Sequence, residues 1–517
     1  MRPLCILQHD DVDMFKLGHT ARLLCLLGAL SMSLPACTLL NSFEECTTNT
    51  DCAGSNVCDD GVCVSPPSCE RSSECGGDNA YCFSGLCTTI EADRCTLSDA
   101  FDDDDVILPI GALMPLTGEG IGDRGAQTIR AASIAVEELN QAGGAGSAKF
   151  GLMVCDTRYE TNRAVEQAQY LSSLGIKAII GGFSSDETIQ VANKVTIGDD
   201  ILLVSPSSTA ASISALDDND LVWRTVASDV LQGPALVAKL ERIIADNEDL
   251  DAQSVKVGLI NANTAYGSGL RETFVSALST SSTLSELGGS ANFKSVSFEP
   301  LDPIEDSAAS VTSALYTDSF TPDVLILLSS AAALPLLKTV EDDTVLNLPA
   351  DDKPTWLLSE AARAPALLGG DYMLVWPRIT GTVISQNTTQ SATQFKIKFE
   401  SQGANASEYP FADKAYDAAY LIAMSMASFP LGEQPSGTQL AGRFKQMTEG
   451  MEFQLTTINF SAAVSELADG DFIDVVGASG DLGFDLSTGD VTSTVKEWSV
   501  DSSGTPMFVD GAVLAGE

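Results

Sequence analysis

From residue 106 onward the chain alternates apolar runs with amphipathic stretches, and it does so in two successive sets. ILPIGALMP, KFGLMVCD, KAIIGG and DILLVSP have the length and continuous apolarity of strands buried on both faces. Between them lie TIRAASIAVEELNQAGG, TNRAVEQAQYLSSLG and DETIQVANKV, which carry the three-and-four apolar spacing of helices. The first of these closes on glycine, the usual C-terminal punctuation. After residue 226 the alternation resumes in VLQGPALVAKLERII, VKVGLINA, GLRETFVSALS, DVLILLSS, AALPLLKTVE and TWLLSE. Repeated strand–helix units imply a parallel sheet covered by helices, and two sets imply two such sheets. Ligands of these sheets bind outside the carboxyl ends of the strands. The expected fold class is therefore α/β, with two Rossmann-like lobes.

Composition narrows the function. A length of 517 residues exceeds what one core holds. At 44% hydrophobic residues the chain is globular rather than disordered. The formal net charge of −43 leaves no basic stripe for phosphates, which excludes nucleic acid as a partner. His9 and His19 are the two histidines, and both fall in a segment expected to be removed. A mature chain without histidine excludes Ser-His-Asp and Cys-His catalysis and His-ligated zinc. There is no Walker loop and no GxSxG. The expectation is a protein that is not an enzyme and needs no cofactor or metal.

Residues 23–36, LLCLLGALSMSLPA, form a short apolar run after Lys16 and Arg22 and end in small residues, as a signal peptide does. The run is too short to span a bilayer comfortably. Asp10, Asp11 and Asp13 are wrong for a positive n-region, so Met14 makes a better start than Met1. Leu34-Pro35-Ala36-Cys37 resembles a bacterial lipobox. That resemblance implies cleavage after residue 36 and a lipid on Cys37, with 37–45 as a tether. An ordinary secretory peptide that happens to end before a cysteine is the alternative. The implied location is the envelope of a Gram-negative-type bacterium, lipid-anchored and facing the periplasm or the cell surface.

Nine of the 13 cysteines lie between Cys46 and Cys95. Cys46, Cys52, Cys58 and Cys63 are separated by 5, 5 and 4 residues, and Cys69, Cys75, Cys82 and Cys87 by 5, 6 and 4. VCDDGVC and YCFSGLC repeat as well, so 46–95 reads as a tandem repeat. Units this small cannot bury a core and need staples, which after export are disulfides. A metal site would need CxxC knuckles, and none is present. Four cysteines allow three pairings, and all three stay open. Counting leaves Cys95 with Cys155, or else Cys155 as a buried thiol. Residues 96–107, with Asp102 to Asp105, read as a solvated acidic linker without the spaced pattern of a calcium loop.

The segment IGALMPLTGEGIGDRGAQTIRAASIAVEELNQAGG resembles the opening of the Leu/Ile/Val-binding proteins, the type I periplasmic solute-binding family. IIGGFSSDET, LLVSPSSTAAS, VWRTVASDVLQGPALV, INANTAYGSGLRETF and FADKAYDAAYLIAMSM follow in the family's order, so the resemblance covers about residues 106 to 505. It implies two lobes joined by a three-strand hinge that closes on its ligand. Lobe 1 would be 108–226 plus 384–486, and lobe 2 would be 227–383 plus 487–517.

The same resemblance implies a site. Ser185 would hold a ligand carboxylate with nearby backbone N–H groups, although Ser184 and Glu187 also spell a capping box. Ser208 would lend its carbonyl and Thr209 its hydroxyl. Tyr266 would face the cleft from lobe 2, and Glu360 would pair with an ammonium. Ile121 stands where relatives carry an aromatic, and Ser329-Ser330-Ala331 replaces an aromatic-rich strand end. The cleft is thus expected to be poor in aromatics, and branched-chain specificity does not carry over. The implied function is capture of an amino acid or similar solute for an ABC permease. A surface receptor or sensory lipoprotein of the same fold is the alternative, favoured by the stapled N-terminal module.

Overall fold

The computed structural model describes Cys46 and residues 57–59, 61–65, 67–75, 80–83, 85–91, 93–102, 106–118, 121–385 and 388–516. The leader, Cys37, the tether and Cys52 lie outside the described residues. Two large sheets organise the chain. The first has the order Val222–Arg224, Leu202–Ser205, Ala178–Ile180, Val106–Met114, Ala148–Asp156, Cys95–Leu97. All its pairings are parallel except the last. The second runs Phe293–Phe298, Val257–Ala262, Val324–Leu328, Thr355–Leu358, Ile379–Ile384, Val495–Asp501, Met507–Ala515. Its first five strands are parallel and its last two antiparallel. Every residue of Val257–Ala262 and Val324–Leu328 is buried, because helices cover both faces.

The chain passes between the sheets after Arg224, after Ile384 and after Val491. The last passage corrects the boundary expected at 486. Asp490 is the counter-ion of the fully buried Arg224, and the Gly489 carbonyl accepts from its backbone N–H at 3.0 Å. That pairing keeps the hairpin Phe484–Asp485/Asp490–Val491 on the first lobe.

Two local features place the cleft. The helix Ala412–Ala427 is buried from Ala412 to Met426, its few polar side chains included, and packs against the helix Ile121–Gln141. At Gly125 a Cβ would lie 1.9 Å from the Pro115 carbonyl oxygen. Only glycine lets the first turn of Ile121–Gln141 sit on the strand end, and this close approach brings Arg124 to the space between the lobes.

Each cysteine repeat ends in a hairpin, Val57–Asp59 with Val62–Val64 and Ala80–Phe83 with Leu86–Thr89. Gly61 and Gly85 turn these hairpins at φ of 81° and 76°. The second repeat bonds Cys69 to Cys82 and Cys75 to Cys87, so the first cysteine joins the third and the second the fourth. Cys46 joins Cys58 in the same sense, and Cys63 is also disulfide-bonded.

Part of the segment 96–107 is built into the fold, while Asp103 to Asp105 of its acidic run lie outside the described residues. Cys95–Leu97 adds an antiparallel edge strand to the first sheet, and Cys95 is bonded to the opposing Cys155. Phe101 is buried, with its ring edge-on to Tyr81 at 5.5 Å. Sheet pairing holds Thr96 and Leu97, and apolar burial holds Phe101, while Asp99 stays exposed. Because the bridge spans 60 residues, replacing Cys95 and Cys155 together by alanine should lower unfolding free energy by about 4 kcal/mol. Denaturant unfolding checks this, and a loss under about 1 kcal/mol would contradict the cross-link argument.

Candidate functional site

Loops at the carboxyl ends of both sheets line one cavity of about 640 Å³. Arg124, Tyr159, Phe183, Ser185, Asp186, Ser207 and Phe411 come from the first lobe, and Asn263, Tyr266, Phe298, Glu299, Leu301 and Ser330 from the second. The lobes touch across it. The Asp186 carboxylate accepts from the backbone N–H of Ala265 at 3.1 and 3.2 Å. Ala265 opens the helix Ala265–Thr280, whose unpaired N–H groups and dipole favour a carboxylate there. Arg124 Nη1 donates to the Ala361 carbonyl, and the Tyr159 hydroxyl faces Ser330. Burial nevertheless pushes the Asp186 carboxyl up, only partly offset by the Ala265 N–H.

Behind the cavity, toward the hinge, two acids are buried together. Glu360 follows the strand Thr355–Leu358 and is 1% exposed, and neither of its carboxylate oxygens has a hydrogen-bond partner. Asp229 is fully buried at the start of the helix Asp229–Asp246. Gln232 ties the two, donating to Asp229 Oδ1 and accepting from the Glu360 N–H, both at 2.9 Å. Burial, and then the neighbouring Asp229, push the Glu360 carboxyl up to about 8, against the pull of Lys414 and Arg124. Burial likewise pushes Asp229 up to about 7, against hydrogen bonds from Thr209 and Gln232 and the charge of Arg224.

The residues named from sequence are divided by this geometry. Ser185 and Tyr266 line the cavity, and Glu360 lies beside it, next to the lining residue Ala361. Ser185 Oγ accepts from the Ala210 N–H at 3.2 Å. The Tyr266 hydroxyl lies near Ser359 and Ala361 without a well-formed hydrogen bond. Ser208 is turned inward: its hydroxyl meets Thr188 and the Gly182 carbonyl, and its own carbonyl accepts from Arg224. Thr209 lies against the Asp229 carboxyl, and its carbonyl accepts from the Asp229 N–H. Ser207, not Ser208, reaches the cavity from this turn, because Ser205 Oγ holds the Ser208 N–H and curls the chain.

The capping box at Ser184 and Glu187 is formed. Glu187 is buried, and its carboxylate takes the N–H groups of Phe183 and Ser184 at 3.0 and 2.8 Å. The expectation of a cleft poor in aromatics is wrong. Ile121 is buried in the core, while Tyr159, Phe183, Phe411, Tyr266 and Phe298 reach the cavity from other loops. Tyr159 does so from a left-handed turn at φ 62°, next to Arg158 at 56°. Sequence reading also missed Arg124, whose one signal was a cation beside Asp123 in the glycine-rich first turn GIGDRGA.

Two α/β lobes, a triple crossing and a cavity between facing strand ends define a type I solute-binding protein. The family model for the receptor family ligand binding region matches residues 128–501, so the chain belongs to that family. A Leu/Ile/Val-binding protein homologue of Brucella melitensis is 29% identical over 171 residues, a stretch covering 33% of this chain and 44% of that protein. A chemotactic signal transduction substrate-binding protein of Halobacterium salinarum is 25% identical over 390 residues, 74% of this chain and 83% of the relative. Among solved structures, a leucine-binding protein of Thermotoga maritima superposes with a TM-score of 0.59 at 20% identity, covering 78% of this chain and 98% of its own. An ABC-transporter solute-binding protein of R. palustris, in complex with 4-hydroxybenzoate, superposes with a TM-score of 0.60 at 13% identity, covering 79% and 97%.

The buried acids make stability depend on pH. Their folded values lie above the ordinary 4.5 and 3.8, so the folded protein keeps protons that the unfolded chain has released. The contribution is nil where both states are protonated, and it becomes steadily unfavourable as pH climbs toward about 8. The melting temperature of the ligand-free protein should therefore gain a downward slope between about pH 5 and about pH 8. In Glu360→Gln, which cannot ionise, the slope should be shallower. Identical slopes in the two proteins would remove Glu360 as its source.

Proposed function

We propose that this is an extracytoplasmic, lipid-anchored solute-binding protein that traps an amino acid or similar small polar solute by hinge closure and serves an ABC-type transporter. The observation carrying the proposal is Glu360, a carboxylate buried beside an interlobe cavity with both oxygens unpartnered. Burial keeps this carboxyl protonated in the empty protein, and a ligand ammonium would supply the partner that lets it ionise. The contacts of Asp186 with Ala265 and of Arg124 with Ala361 are those a closed state needs. Names of relatives support the solute-binding reading, among them Leu/Ile/Val-binding proteins of Brucella and Rhizobium. Ser185 and Tyr266 would contact the solute directly. Ser208 and Thr209 would act from behind, through Arg224 and Asp229.

A sensory role is the second reading. The Halobacterium relative is named for chemotactic signalling, and the cysteine module is fixed to the first lobe by the Cys95–Cys155 bond. A permease and ATPase encoded beside the gene would favour transport.

Calorimetry with a panel of free amino acids tests the site. Removing one partner of a buried charge pair costs about 3–5 kcal/mol, so Glu360→Gln should weaken binding about a hundredfold or more. Ser185→Ala should lose less, on the order of 1–3 kcal/mol of binding, because it removes one hydroxyl contact to the solute while backbone N–H groups still hold the carboxylate. Wild-type affinity in Glu360→Gln would end the ammonium assignment.

Anchoring is tested separately. Cys37→Ser should leave the leader unprocessed or release the protein from the membrane fraction. Unchanged processing and fractionation would exclude lipidation at Cys37.

A further inference from the structure

The cavity wall holds a cation that the fold does not neutralise. Arg124 is 3% exposed and lines the cavity. Its Nη1 is spent on the Ala361 carbonyl, and its guanidinium stands over the Phe411 ring at 5.5 Å. Its Nη2 has no hydrogen-bond partner, and no carboxylate hydrogen-bonds the group among the described residues. A buried, unpaired guanidinium is among the costliest groups a fold can retain. Its planar fork matches a carboxylate.

The cleft's other anion-holding feature, the helix start at Ser184 and Ser185, is already occupied by the Glu187 carboxylate. Around Arg124 the wall is aromatic. Tyr159 and Phe183 meet edge-on at 6.3 Å, and Phe183 and Phe411 at 6.1 Å. The volume of about 640 Å³ equals roughly 20 waters at ~30 Å³ each, more than a branched-chain amino acid fills.

We infer that the solute is an aromatic carboxylic acid, its carboxylate paired with Arg124 and its ring lodged among Tyr159, Phe183 and Phe411. This rests on the solute-binding reading and adds the class of solute. Where the molecule also carries an ammonium, Glu360 meets it, so aromatic amino acids fall within the class. Aromatic edges and faces attract one another beyond simple burial, so the wall favours a ring over an aliphatic group of equal area.

The test is calorimetry with benzoate, phenylacetate, phenylalanine, leucine, benzamide and phenylacetamide. Protein freed of co-purified solute is used as wild type, Arg124→Gln and Arg124→Lys. At least one aromatic acid should bind, and wild type should prefer an acid over its amide by about a hundredfold. Arg124→Gln should abolish that preference, and Arg124→Lys should keep part of it. Arg124→Gln also loses the bond to Ala361, but that loss weakens acid and amide alike and cancels in the ratio. An acid-over-amide ratio unchanged in Arg124→Gln overturns the inference. So does binding of leucine without any aromatic acid, which leaves the solute-capture proposal standing. Failure of every member to bind wild type overturns both.

Discussion

Parallel strand pairing is the constraint from which the site follows. Parallel neighbours cannot be joined by a tight turn, so each strand must return through a crossover, here mostly helical. All carboxyl-end loops of one sheet therefore gather on one edge. Two such sheets linked by three crossings place these edges against one another. Tyr159, Phe183 and Ser207 each follow a strand of the first sheet, and Asn263, Glu299 and Ser329 each follow a strand of the second. Residues far apart in the chain thus meet in one cavity without a dedicated binding segment. The antiparallel additions, Cys95–Leu97 and the pair Val495–Asp501 and Met507–Ala515, sit at sheet edges and leave this arrangement intact.

The charges in the cleft are arranged against the trend of the whole chain. A net charge of −43 makes the surface strongly acidic, yet Arg124 and Lys414 are buried at the cleft, 3% and 1% exposed. Lys414 has its own counter-ion in Asp413 at 2.9 Å. Among the described residues no carboxylate hydrogen-bonds Arg124, while Glu360 and Asp229 are held together by Gln232. The fold accommodates that acid pair by keeping protons on it, which is what carboxyl values near 7 and 8 mean. A cation arriving at Glu360 would therefore displace a proton, and an anion arriving at Arg124 would not.

How much of this was legible in sequence differs by level. Buried strands and helix faces write themselves into periodicity, so ILPIGALMP and DVLILLSS could be read directly. Cysteine counting pointed to Cys95 with Cys155, and the strand register places them opposite one another. The turn Ser205–Thr209 was located, but not which hydroxyl reaches the cavity. That depends on Ser205 Oγ holding the Ser208 N–H, a local curl without sequence periodicity. The aromatic wall was missed because its rings come from loops that neighbour one another only after two sheets have formed. Arg124 was missed because its burial depends on Gly125 approaching Pro115, a contact between backbones. The charge of 96–107 reports solvation, as the exposed Asp99 shows, and not the edge pairing of Thr96 and Leu97.

The cysteine module gives the proposed closing motion a fixed frame. The Tyr170 hydroxyl accepts from the Glu91 N–H at 2.8 Å, and Arg94 stands over the Tyr170 ring at 5.0 Å. Tyr170 belongs to the helix Thr161–Ser173 of the first lobe. With the Tyr81–Phe101 contact and the Cys95–Cys155 bond, these tie the second repeat to the first lobe by covalent, polar and apolar links together. A module held this way cannot hinge freely on the lobe it serves. If the chain is anchored ahead of the module, hinge closure then swings the second lobe relative to the module, and not the first. Asp186 and Arg124 lie on the lobe held by the module, and Ala265 and Ala361 on the lobe that swings. The loop Glu299–Pro303, with Leu301 98% exposed at the cavity rim, belongs to the moving lobe.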